Sequence, residues 1–196
     1  MSVRRSVVID APPSEVWATL VAFERYGAWN PLIPRASGEA AVGETVRAVI
    51  AQPRVPPVPI HAEITRCDPE RELAWETNLP GGGLLTVEHA FQLTPLDADG
   101  AVVAEGEVAS RTEFAQVERV GGAVGRAVPD ALVRVLADGF DQMNRALRRR
   151  VEATSDGRGA SADASGASAD ASGVSPSEPT AGATTSDDTT SDDHNP

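Results

Sequence analysis

The stretch Tyr26-Gly27-Ala28-Trp29-Asn30-Pro31 decides how the first part of the chain is built. Pro31 disfavours helical geometry in the residue before it, so a short helix over 23–29 has to stop at Asn30. Upstream, Asp10-Ala11-Pro12-Pro13 ends a strand over 3–9 and opens another short helix, because proline is tolerated in a first turn whose backbone donors lack partners anyway. Val16, Trp17 and Leu20 give that helix one apolar stripe. The order is therefore strand, helix, helix and a sharp corner.

Beyond the corner, period-two alternation predicts strands over 33–37, 45–51, 60–67, 72–77, 85–94 and 102–115. Their connections carry turn residues: Gly38 and Gly43, the proline-rich 53–59, Asp68-Pro69, 80–83 and 97–100. One face collects Val46, Ala48 and Ile50, then Ile60, Ala62 and Ile64, then Leu73, Trp75 and Thr77, then Leu85, Val87, His89, Phe91 and Leu93. In the last strand Ala104, Gly106, Val108, Ser110, Thr112 and Phe114 fall on one side, and Glu105, Glu107, Arg111 and Glu113 on the other. That is a sheet with one dry and one wet face. The dry face needs a cover. Leu132, Val135, Leu136, Gly139, Phe140, Met143, Leu147 and Val151, recurring at steps of three and four, predict a long C-terminal helix that supplies it. Arg145, Arg148, Arg149 and Arg150 lie near its end, where positive charge complements the helix dipole, and read as a solvated face.

This order of elements, with Trp29-Asn30-Pro31 at the corner, resembles the SRPBCC or START-like superfamily, which includes polyketide cyclase/dehydrase-like proteins. His89-x-Phe91-x-Leu93 strengthens the resemblance, followed one strand later by Glu113-Phe114-Ala115-Gln116 in the place of that family's Glu-x-Phe element, although the glycine usual after the element is missing. The resemblance covers roughly residues 3–152. It implies an α+β helix-grip fold: a curved antiparallel sheet of about seven strands wrapped around a long C-terminal helix, with two short N-terminal helices and an apolar pocket.

Composition divides the chain after residue 153. All eight aromatic residues precede position 141, and residues 154–196 are mostly Ser, Ala, Thr, Gly and Asp with Val174 as the one large aliphatic side chain. Such a segment cannot bury enough apolar surface to offset its ordering entropy, so a domain over 1–153 followed by a disordered acidic tail is expected. The formal net charge is −12, and every basic residue is Arg. An acidic, Lys-free chain fits a high-salt or GC-rich proteome and argues against nonspecific binding to nucleic acid or anionic membrane. Cys67 is the single cysteine, which excludes an internal disulfide and favours a reducing compartment. With no signal-peptide pattern and no apolar run of spanning length, a cytoplasmic location without membrane insertion is expected.

Chemistry has few places to sit. Ala48, Ala62, Gly106, Ser110 and Gly139 are small, and if sheet and helix keep ordinary packing distance they leave volume between Trp75, Phe91, Leu136, Phe140 and Met143. His89 falls on the dry face, where an imidazole could orient a ligand carbonyl or act as acid or base. Trp29 and Asn30 either wall the pocket mouth or fix the corner, with Asn30 bonding nearby backbone as asparagine does in turns. The three histidines, at 61, 89 and 194, form no metal-ligand spacing, and neither metal nor cofactor is implied. Gly81-Gly82-Gly83 has no following Lys or helix and reads as a hairpin connection rather than a phosphate loop. Three functions stay open: a binder of a hydrophobic small molecule (lipid, isoprenoid or polyketide-like), a cyclase or dehydratase-like enzyme using His89, and a protein-interaction module like chaperone activators. The oligomeric state is not encoded in any of these features.

Overall fold

The computed structural model describes residues 1–52, 55–78, 86–104, 106–122 and 130–166. Strand β1 (Ser2–Ile9) leads into helix α1 (Pro13–Leu20) and a 3-10 helix (Phe23–Ala28). Six strands follow: β2 (Arg35–Ser37), β3 (Thr45–Gln52), β4 (Val55–Asp68), β5 (Glu72–Asn78), β6 (Thr86–Leu96) and β7 (Arg111–Gly121). Helix α2 (Asp130–Gly166) closes the order. The strands form one seven-stranded antiparallel sheet in the order β1-β7-β6-β5-β4-β3-β2. The first strand thus sits at one edge and the second at the other, and α1 with the 3-10 helix carries the chain between them.

The corner forms as the proline argument predicts. Asn30 Oδ1 accepts hydrogen bonds from the backbone amides of Leu32 (3.0 Å) and Ile33 (2.9 Å), locking the turn into β2. Tyr26, fully buried, donates its hydroxyl to the Leu20 carbonyl at 2.6 Å and so ties the 3-10 helix to α1. Burial raises the Tyr26 phenol well above its ordinary pKa, keeping it a donor.

Two expected strands are displaced. The prolines at 56, 57 and 59 lie inside β4, not in a loop. Their stretch pairs with β3 (Val49↔Pro59, Ile50↔Val58), whereas β5 pairs only from Glu63 onward, so the other edge needs no N–H donor there. The last strand starts at Arg111 and not at 102. Of the described residues before it only Val102 makes an isolated bridge, to Leu96, while Gly106 turns with φ 90° and Val108 is 90% exposed. Glycine's access to that backbone region breaks the strand.

On the dry face the alternation holds, with Val46, Ala62, Ile64, Leu73, Phe91 and Phe114 fully buried. Helix α2 covers this face, burying Phe140, Met143, Leu147 and Val151, while Val133 and Leu136 near its start are only partly buried. Burial thus rises along the described part of the helix from Val133 to Phe140. Leu132, Leu85 and the Gly81–Gly83 connection fall outside the described side chains. The helix continues past the compositional boundary at 153 to Gly166, and the Ser155 hydroxyl donates to the Glu15 carboxylate on α1. Residues 167–196 lie outside the described region.

The outer face carries a cross-strand ion-pair ladder around a small apolar island of Ala74, Ala90 and Val117. Glu88 accepts from Arg66 (3.1 Å) on β4 and Arg119 (2.5 Å) on β7, and Arg66 also meets Glu72 at 3.2 Å. The hydrogen bond from Arg66, aided by Arg119, holds the Glu88 carboxyl below the usual carboxylate range. A carboxyl depressed in the folded state stabilises above its unfolded-state pKa of about 4.3 and loses that contribution as pH falls through the lower folded value. Comparing wild type with Glu88→Gln in urea should therefore give a gap that is constant above about pH 5 and closes on acidification below about pH 4. Its size should be modest, about 0.2–1 kcal/mol per pair, because both arginines are well exposed. A gap that widened on acidification would contradict this assignment.

Candidate functional site

Between the sheet and the N-terminal half of α2 lies a cavity of about 360 Å³. Its walls follow from the register. One cross-strand row runs Trp75–His89–Glu118 and the next runs Thr77–Val87–Val120, all on the dry face of β5, β6 and β7. Ile50, Val58 and Ile60 from the β3–β4 hairpin form a second wall, and Leu32 and Ile33 from the corner a third. Leu136 and Phe140 of α2 complete it. This is the size and character of a small-molecule site, largely apolar with a few placed polar groups.

Four polar side chains reach the cavity: Gln52, Thr77, His89 and Glu118. His89 is the hub of a buried chain. Its Nδ1 faces Glu118 Oε2 at 3.4 Å and its Nε2 faces Gln116 Oε1 at 3.1 Å. Gln116 in turn donates through Nε2 to Asn144 Oδ1 (2.6 Å) and the Phe140 carbonyl (3.3 Å), which fixes its oxygen toward His89. Both ring nitrogens thus face a side-chain oxygen of β7, one from Glu118 and one from Gln116. The ring is also held by Phe91 and Phe140, at centroid distances of 4.6 and 4.9 Å, and leans on Trp75 at 5.8 Å.

Gln52 is the opposite case. Both atoms of its side-chain amide are buried, and neither has a hydrogen-bond partner among the described residues. The amide lies against α2 at Gly139, where an added Cβ would come within 2.9 Å of Nε2 and 3.0 Å of Oε1. Gly139 therefore makes room for the Gln52 amide.

Of the site residues expected from sequence, Trp75, His89, Leu136 and Phe140 line the cavity, and Gly139 borders it through Gln52. Ala48, Ala62, Phe91 and Met143 are packed into the core beside it. Gly106 and Ser110 are on the surface, because β7 begins after them; Gly106 lines a shallow groove with Pro12, Pro13 and Glu70 instead. Asn30 spends its oxygen on the corner, and neither it nor Trp29 lines the cavity, although Trp29 Nε1 and Asn30 Nδ2 are buried without partners among the described residues. Leu136 and Phe140 of α2 wall the cavity, and the small residues Ala48 and Ala62 do not line it. Gln52, Gln116, Glu118 and Asn144 were not anticipated. Continuing the alternation of β7 past Phe114 would have placed Gln116, Glu118 and Val120 inside.

Residues 1–152 match the family model described as polyketide cyclase/dehydrase and lipid transport. Among curated proteins none matches. Solved structures share the fold at low identity. A START superfamily protein from Mycobacterium smegmatis is 16% identical with a TM-score of 0.59, over 78% of this chain and 98% of the other. The Zhui aromatase/cyclase from a Streptomyces species is 18% identical with a TM-score of 0.55, over 78% and 93%. A protein from Thermus thermophilus is 17% identical with a TM-score of 0.57, over 79% and 99%.

Proposed function

This chain belongs to the polyketide cyclase/dehydrase and lipid-transport family, and we propose that it binds an apolar small molecule, a lipid, isoprenoid or polyketide-like compound, in the cavity between sheet and helix. The observation that carries this reading is an open cavity of about 360 Å³ walled mainly by aliphatic and aromatic side chains. A filled core, as an interaction module would use, does not fit it. No helix among the described residues is long and apolar enough to cross a membrane. The acidic tail has no part in the cavity on this reading, and the cytoplasm is its proposed location.

His89 favours binding over catalysis. A general acid or base needs one nitrogen free to meet the substrate, and here Nε2 is engaged by Gln116 while Nδ1 faces Glu118. His89→Gln should therefore keep ligand affinity within a few-fold. Were His89 a proton donor or acceptor, the same variant would bind normally but lose turnover by about 10²–10⁴-fold. Native mass spectrometry of the protein purified without detergent tests the reading directly. One apolar adduct per chain is expected, and a bare chain that also fails to take up added amphiphile would refute it.

A further inference from the structure

We infer that Glu118 makes the cavity selective for charge: its occupant is an uncharged apolar molecule bearing a hydroxyl, and anionic amphiphiles with a carboxylate head are rejected. The inference rests on the binding role proposed above and names the class of molecule that the same cavity takes.

Glu118 is 7% exposed and lines the cavity wall beside His89. Only Oε2 has a neighbour, the His89 ring; Oε1 makes no hydrogen bond among the described residues. Of the His89 ring, the atom nearest Glu118 is Nδ1, 3.4 Å from Oε2. Among the described lining residues there is no Arg, so an incoming carboxylate would meet Glu118 with no cation of its own. It would also have to shed its hydration on entering an aliphatic cavity, a cost that an unpaired ion does not recover. A hydroxyl has the reverse balance. It can donate to Glu118 Oε1, and such a bond to a charged acceptor is among the stronger ones. Thr77, one register step away on β5, lines the same wall with a hydroxyl that makes no hydrogen bond in the described structure. Glu118 and Thr77 can thus both be satisfied by a neutral molecule that bears hydroxyl groups.

The test uses a matched pair of fluorescent probes, 1-pyrenebutanol and 1-pyrenebutyrate, titrated at pH 7.5 into the full chain and into Glu118→Gln. Wild type should bind the alcohol at least about tenfold more tightly than the acid, as about 1.4 kcal/mol of uncompensated charge would give. In Glu118→Gln the gap should shrink to below about threefold, mainly through tighter binding of the acid. The glutamine amide oxygen can still face His89 Nδ1, so the variant keeps the network. Equal or tighter binding of the acid by wild type overturns charge selection while leaving the binding role standing. So does a gap that survives in Glu118→Gln. Binding of neither probe to wild type removes the binding role and this inference with it. The wild-type comparison needs no variant, so it decides even if Glu118→Gln is poorly folded.

Discussion

Replacing Phe140 by alanine is expected to destabilise the protein by about 3–5 kcal/mol, the range for removing a large buried aromatic. Phe140 is 2% exposed, meets the His89 ring edge to face at 4.9 Å and lies between the cavity and the core. Its loss would join the cavity to the core, so little collapse is available to recover the energy. Since a domain's whole stability is about 5–15 kcal/mol, urea denaturation should show a large fall in the midpoint. Leu136→Ala, one turn earlier and already beside open volume, should cost clearly less. Equal costs at the two positions would mean that Leu136 is packed as tightly as Phe140 and that no open volume lies beside it.

Asn30→Ala should cost about 2–4 kcal/mol, because it strands two buried backbone donors, each carrying a desolvation penalty of about 1–3 kcal/mol. Both amides, of Leu32 and Ile33, bond to the one oxygen of Asn30, which is 3% exposed. Asn30→Asp keeps an accepting oxygen and should retain more of the stability. The same corner positions Leu32 and Ile33 in the cavity wall, so Asn30→Ala is also expected to weaken probe binding. Unchanged thermal and chemical stability in Asn30→Ala would show that the corner is held by other contacts.

Much of this architecture was legible in the residues. Period-two alternation from Val46 to Leu93 identified the dry face, because in a sheet buried on one side a slip of one residue would expose the whole set. The proline after Asn30 marked the corner for a backbone reason that tertiary structure does not override. The displaced elements failed for equally physical reasons. Pro56, Pro57 and Pro59 looked like a loop, yet strand edges without a pairing neighbour accept proline. Residues 102–110 alternate as well as a true strand does, and the pattern alone does not reveal that Gly106 takes a positive φ.

The site was legible only in part, since His89 and Trp75 announce themselves whereas Glu118 looks like any solvated acid. What buries it is the register β1-β7-β6, which sets Glu118 opposite both Val3 and His89. Small residues were a poor guide to the cavity. Ala48 and Ala62 are packed by their neighbours, and the open volume is walled instead by residues from five strands, the corner and α2, a convergence that no local pattern encodes.

The central claim is that this cavity is where an apolar ligand sits, and amide and methyl NMR during a titration with 1-pyrenebutanol tests it most directly. Saturable shifts concentrated at Leu32, Ile50, Thr77, Val87, Val120 and Leu136 are predicted, with the outer-face ladder of Arg66, Glu88 and Arg119 unmoved. Saturation with shifts confined to that outer face or to the groove at Pro12, Pro13 and Glu70, and none in the cavity wall, would contradict the account.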